Sequence, residues 1–485
     1  MNHTAHGWWL AEAGPVVPAP SLDGDLRADV VIVGGGYAGM WTAWHLLERG
    51  ARVVLLEAGM CGHGPSGRNG GFAETLWSNL PDLVERFGPD RALAAAEASS
   101  ESVAAIGAWC EAQDVDAWFE RRGFLLASTA QPHDAVVDRV LDAARTVGVA
   151  SPGAPEAART VGVAAPGAPA AAGDGPEPRV FALDGDALRA RCASPRFRRG
   201  LFVPDDATVH PARLALGLRA RLIERGARIF ERSRVTALRA GAGVVAETRG
   251  GSVRAGAAVL AVNAATRGIG PLRHRLAVTS SHIVLTEPVP GALEALGWTG
   301  GESITDARTF LHYFRTTRDG RIVFGWGGGR LAAGARLHGR VEVDPAVAEA
   351  TRRHLAEMLP AVAGRRITHA WGGPIDVSPT HLPQIGGLDG APVHYAFGFT
   401  GNGVGPSHLA GRILAARVAG ERPDVELPAG DPVPVPPEPL AWAGGMLVRA
   451  AFLRRERLEG EGRRAGPLTR AACAAPRALG IHVSR

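Results

Sequence analysis

The tightest constraint in this 485-residue sequence is a glycine pattern set between two short apolar runs near its start. Ala28 to Val33 is rich in valine and isoleucine and reads as a buried strand, and Gly34, Gly36 and Gly39 follow it as GxGxxG. Trp41 to Arg49 then has helical spacing and closes at Gly50, where a left-handed cap is wanted. Arg52 to Glu57 is the next strand. A strand–turn–helix–strand unit of this kind commits the chain to a parallel sheet covered by helices. The first glycine permits the tight turn, the second lets a pyrophosphate reach the backbone, and the third brings helix and sheet together. The helix start, with Tyr37 and Ala38, offers amides and a dipole to phosphate. Glu57 lies 18 residues after Gly39 and, with Ala58 beside it, is placed to accept ribose hydroxyls. Dinucleotide binding is the expectation, since a glycine-rich surface turn would leave Glu57 unexplained.

Composition narrows the chemistry. Apolar residues are 46% and charged residues 21% of the chain, which excludes a wholly disordered protein and leaves room for two or three domains. All 53 basic residues are arginine, so a lysine Schiff base or ammonium is excluded from the site. No run of 18 apolar residues predicts a transmembrane helix, and the opening MNHTAHGWWLAEAG lacks the features of a Sec signal. The net charge of +5 is uneven: Arg449 to Arg485 holds nine arginines against three acids, leaving 44 basic and 45 acidic groups elsewhere. A basic tail on a neutral body is no nucleic-acid groove, and no nucleic-acid-binding pattern accompanies it. Cys61, Cys110, Cys192 and Cys473 lie far apart, against a dithiol centre, a zinc site or a disulfide scaffold; no metal site is expected, and a reducing cytoplasm fits best. AARTVGVASPGAP from Ala143 is repeated as AARTVGVAAPGAP from Ala157, which reads as a slipped insertion disordered over about 150–178.

Residues 1–27 read as an irregular lead-in. AAVLAVNA (257–264) and RIVFGWG (321–327) read as strands, and Glu342 to Leu359 as an amphipathic helix. A second glycine-rich strand–turn–helix lies at 394–419, with Gly401, Asn402, Gly403 and Val404 at its turn. Two residues past the second strand comes GMCGHGPSGRNGGF, an open, amide-donating loop in which Arg68 and Asn69 add donors suited to a pyrophosphate or a polar ring edge.

At this loop the chain resembles the glycine/D-amino-acid oxidase family of FAD enzymes, in which a Ser-Gly-Arg-Asn-Gly-Gly stretch wraps the cofactor. Here that stretch is Ser66, Gly67, Arg68, Asn69, Gly70 and Gly71. The resemblance is nearest to the γ-glutamylputrescine oxidase-like members, through YFRTTRDGRIVFGWGG (313–328), WGGPIDVSPTHLPQIGG (371–387) and GFTGNGVGPSHLAG (398–411), and covers residues ~7 to 420. It implies an α/β (α+β) fold: a Rossmann-like FAD-binding domain of the glutathione-reductase/DAO type with an inserted mixed-sheet substrate domain. The expected division is 28–90, 197–270 and 370–420 for FAD, 91–196 and 271–369 for substrate, and 421–485 as a C-terminal extension. ERSRVTAL (231–238) resembles the strand whose Val235 backbone meets adenine, and AVNAA (261–265) a strand end closing over the cofactor at Asn263; a plain core strand is the alternative for both. A helix beginning at Gly403 and Val404 would face the flavin's pyrimidine edge.

The activity implied is oxidation of a C–N bond in a small amine or amino acid to an imine that hydrolyses, with O2 as acceptor giving H2O2. A dehydrogenase serving a quinone or carrier, and a flavin-binding subunit without turnover, are the alternatives. Relatives with covalent flavin use a cysteine at the place of Gly373, so noncovalent FAD is expected. Relatives also use a lysine in the reaction with oxygen; here an arginine or a protonated histidine would supply that charge, or the acceptor is not oxygen. Tyr313 and Arg315 share a strand face, with His312 opposite, so Arg315 is either a carboxylate-binding group or a surface arginine. His381 and His408 flank the second glycine turn and are catalytic or structural. Trp371 is core or pocket wall, and the Arg-rich helix at 446–458 faces solvent or anionic lipid.

Overall fold

The computed structural model describes residues 1–153, 177–334, 336–427 and 433–481. Most of the expected disordered insertion, 154–176, lies outside the described residues, while at its edges Ala150–Ser151 pairs with Val180–Phe181.

Val30–Val33 and Val53–Leu56 are fully buried strands in parallel register, joined by the helix Tyr37–Glu48. They sit in a six-stranded sheet with spatial order 228–230, 53–56, 30–33, 257–260, 393–397 and 384–387. Every pair is parallel except the last. The chain builds outward from Val30–Val33 in one direction and then returns to its other side with Ala257–Leu260. Open α/β sheets bind ligands in the crevice where strand order reverses in this way. The fingerprint turn and Asn263 both leave the sheet there, with the Ala261 amide donating to the Val33 carbonyl at 2.9 Å.

A ten-stranded mixed sheet stands beside it, dominated by two long antiparallel strands, Ala277–Thr286 and Ile367–Val377, in which Ser281 opposes Gly373 and Val278 opposes Asp376. Two expectations are corrected. The strands 199–203 and 367–377 belong to this sheet rather than to the nucleotide-type sheet. Residues 1–27 are not wholly irregular: Asn2–His3 pairs with the long strand at His369–Ala370, and Gly7–Glu12 is helical, because Trp8, Trp9 and Leu10 need burial. The Arg-rich tail helix is also longer than expected, running from Leu440 to Gly460, and is followed by Pro467–Ala478.

Candidate active site

The backbone at the first glycine turn is built for close approach. Gly34 has φ +111°, and a Cβ there would lie 2.3 Å from the Ala261 carbonyl oxygen; a Cβ on Gly39 would lie 2.0 Å from that of Gly34. Neither position admits a side chain. Glu57 accepts from the Gly35 amide through one oxygen and from the Gly59 amide through the other, both at 2.7 Å, and so is fixed beside the turn with lone pairs to spare. Ser66 Oγ accepts from the Tyr37 amide at 2.9 Å, which ties the SGRNGG loop to the helix start. Asn69 folds that loop, donating to the Pro65 and Ser66 carbonyls and accepting from the Gly71 amide.

A cavity of about 740 Å³ opens from this turn. Its wall includes Gly36, Tyr37, Ala38, Ser66, Arg68, Asn69 and Gly70 from the front of the chain. Asn263, Tyr313, His381, Gly401, Asn402, Gly403 and Val404 join them from far down the sequence. Two helix N-termini therefore face one space. The helices Tyr37–Glu48 and Val404–Val418 both start after a glycine that offers no side-chain cap, although in the first the Tyr37 amide is taken by Ser66 Oγ. Asn402 Oδ1 is buried in the wall without a hydrogen-bond donor, so a ligand N–H would satisfy it. Bare glycines at the turn, a ribose-type carboxylate, two helix starts and an orphaned acceptor fit a flavin dinucleotide.

Several expected residues lie outside the cavity wall. Gly34, Gly39, Gly67 and Gly71 act through close backbone packing; a Cβ on Gly67 would lie 2.1 Å from the Gly62 carbonyl. Glu57 and Ala58 stand at the open end of the turn. Val235 is not in a strand but in the segment between Arg228–Phe230 and Ala237–Ala240, half-buried near the same end. Arg315 shares Tyr313's strand but spends its guanidinium on backbone: Nη1 donates to the carbonyls of Gly71 at 2.8 Å and Val209 at 2.6 Å, and Nε to that of Thr316. Trp9 lies under it at 5.6 Å. Burial lowers its pKa to about 10, and it is a bracket between segments, not an open anion site. His408 faces away from the cavity, against Trp41 and His45, with Nδ1 3.0 Å from Ser102 Oγ; burial lowers its pKa to about 3 and keeps it neutral.

The tertiary structure adds two groups that reading by motif missed, Ser281 and Asp376, to the expected Tyr313 and Trp371. Ser281 Oγ is 2.7 Å from Tyr313 Oη, and burial raises the tyrosine to about 12, so the pair is a neutral hydroxyl couple in the wall. Asp376 is buried in the wall and accepts from the Gly398 amide at 2.5 Å; burial raises its pKa to about 7, against the lowering effect of its amide donors and of Asn263. Its signal in the sequence was a lone acid inside the apolar run of WGGPIDV. Trp371 is buried, lines the cavity, and donates from Nε1 to the Arg68 carbonyl at 2.8 Å.

A dinucleotide cradle opening on a buried, partly polar chamber defines a flavin-type oxidoreductase. The chain belongs to the FAD dependent oxidoreductase family, whose model matches residues 29–417. It is 27% identical over 426 residues to gamma-glutamylputrescine oxidoreductase of Escherichia coli (strain K12), covering 87% of this chain and 90% of that protein. Among solved structures it is similar to glycine oxidase from Geobacillus kaustophilus, with TM-score 0.64, 21% identity, and coverage of 83% and 97%. It is also similar to L-proline dehydrogenase from P. horikoshii, with TM-score 0.63, 16% identity, and coverage of 85% and 96%. At these identities the two structures speak for the fold.

Proposed function

We propose that the protein oxidises the C–N bond of a small amine or amino acid to an imine, which water hydrolyses, with noncovalent FAD and with O2 as acceptor giving H2O2. The observation that carries this reading is the continuity of one cavity from the glycine cradle to the Ser281–Tyr313–Asp376 wall. Bound FAD supplies the two-electron acceptor for a hydride equivalent leaving the carbon beside nitrogen. The chain's own residues must hold the amine neutral, align its C–H and exclude water. The Asp376 carboxyl, half ionised near neutral pH, takes the proton that an ammonium has to lose. The Ser281–Tyr313 pair orients the nitrogen without charging it. The start of Val404–Val418 directs partial positive charge into the cavity, and Asn402 Oδ1 would accept from an N–H of the cofactor when it is bound. Gly373 stands where a tethering cysteine would be needed, which supports noncovalent binding. The four cysteines are free and buried, in keeping with a cytoplasmic enzyme.

The test is the visible spectrum of purified protein, recorded anaerobically before and after a panel of amines. Bands near ~370 and ~450 nm that bleach with one amine are expected. A yellow protein that no amine bleaches sinks the reaction, and one that cannot take up FAD sinks the cofactor. H2O2 formed during turnover in air supports O2, and its absence points to a quinone or carrier protein. In Tyr313→Phe, flavin content should hold while kcat/KM falls roughly tenfold, the scale of one lost hydrogen bond.

A further inference from the structure

The C-terminal helix Leu440–Gly460 lies beyond the family match, which ends at 417, yet it forms part of the cavity wall. Ala441, Gly445 and Val448, spaced i, i+4 and i+7, share one helix face and all line the cavity. Gly445 lets that face come down close: a Cβ there would lie 2.3 Å from Leu331 Cδ2. The same face continues as Phe452, Glu456 and Glu459, which bolt the helix to the body. Phe452 meets the Phe310 ring edge-on at 6.2 Å, Glu456 accepts from the Phe310 amide at 2.8 Å, and Glu459 lies 3.6 Å from His133. The first turns of the helix are thus a roof and the last turns its anchor.

Three arginines line the cavity, and their charges are not equally spent. Arg68 is paired with Glu342 at 3.2 Å and Arg267 with Glu438 at 3.3 Å. Arg449, on the roof helix, donates from Nε to the Gly329 carbonyl and from Nη2 to that of Gly328, and makes no ion pair among the described residues. The charges nearest it are Arg330 and Asp344, and Asp344 is already engaged by Arg330 at 2.8 Å and by the amides of Ala346 and Val347. Two carbonyls fix the guanidinium's plane while leaving donors unused, the arrangement that receives a carboxylate. A half-buried cation without a counter-ion is costly until one arrives.

We infer that the helix Leu440–Gly460 roofs the substrate chamber and that its Arg449 receives the carboxylate of the amine being oxidised. The substrate class is then a carboxylated amine: an amino acid or a longer amine ending in a carboxyl group. This rests on the amine-oxidation reading, but carboxylate binding can be measured without turnover.

The experiment titrates the full-length, FAD-loaded protein with propionate, benzoate and n-butylamine while following the shift of the visible flavin bands. In Arg449→Met the ratio of the propionate Kd to the n-butylamine Kd should rise at least about tenfold, the scale of a lost charge-assisted hydrogen bond. Arg449→Lys should recover part of the loss as a point charge. Val448→Trp should weaken propionate to a similar extent by filling the roof beside an intact guanidinium. Carboxylates that bind Arg449→Met as tightly as the parent overturn the assignment. If that variant holds no flavin, undiminished propionate binding by Val448→Trp overturns it instead. A protein that binds propionate through Arg449, yet is bleached by no amine, retains the carboxylate site and loses the oxidation reading.

Discussion

At Asp376 a single acid lies on an apolar strand, and its surroundings decide its protonation. Its folded pKa of about 7 exceeds the ordinary carboxylate value, so the unfolded chain releases this proton first. Stability from this group is fully present below the ordinary value and is lost as pH rises toward 7. Asp376→Asn should therefore raise Tm by several degrees at pH 8, with the gain shrinking as pH falls toward 4, and should flatten any titration of the bound flavin spectrum near pH 7. Thermal melts and spectra across that range check both. Arg315 teaches the opposite lesson. Strand alternation put it on Tyr313's face, but only the approach of Gly71 and Val209 showed that its Nη1 is spent on their carbonyls. Arg315→Met should lower stability by about 2–6 kcal/mol, about 1–3 kcal/mol for each of the two carbonyls that lose the Nη1 donor. Denaturant melts measure that loss, while propionate should bind the variant that still folds as it does the parent.

Among the elements, the two glycine-led helices depend on one another. Gly411 lies against Trp41, where a Cβ would come within 2.7 Å of the tryptophan Cβ, so Val404–Val418 crosses Tyr37–Glu48 at close range. That contact holds both helix starts toward one cavity. Gly411→Val should wedge them apart, lowering Tm and loosening FAD together, as read by thermal melts and by the ~450 nm band after dialysis. Both turns were legible in the sequence, because a strand, a glycine cluster and a helical run in series admit few other structures. Of the helix at 440–460, residues 446–458 were legible as an amphipathic, arginine-rich helix, but its first turns and its partner were not. An amphipathic face announces burial without saying whether lipid, solvent-facing packing or the molecule's own cavity covers it.

For the whole molecule, pH dependence sums buried groups that periodicity does not reveal. His408 and His354 are lowered to about 3, and His210 and His282 to about 4, chiefly by burial. Each is neutral when folded and protonated when unfolded below its ordinary value, so each costs stability as pH falls from 6.5 toward its folded pKa. Asp376 and Glu456, both raised to about 7, and Asp206, raised by burial, act in the other direction over much of that range. His63, His312, His369 and His394 are lowered by burial as well, so the lowered histidines outnumber the three raised carboxyls and Tm should fall between pH 6.5 and 4. A Tm that stayed level or rose on acidification would contradict this arrangement of buried groups. The sequence by itself determined the opening strand–turn–helix–strand unit, because it rests on spacing within 30 residues and on glycines no other residue can replace, and it determined the family through motifs spread as far as residue 411. Strand membership at 199–203 and 367–377, the loss of Arg315 and His408 from the site, the Ser281–Tyr313 and Asp376 wall, and the roof carrying Arg449 were decided by tertiary structure. These are contacts between segments tens to hundreds of residues apart, where burial and competing hydrogen-bond partners, not local pattern, set what each side chain is free to do.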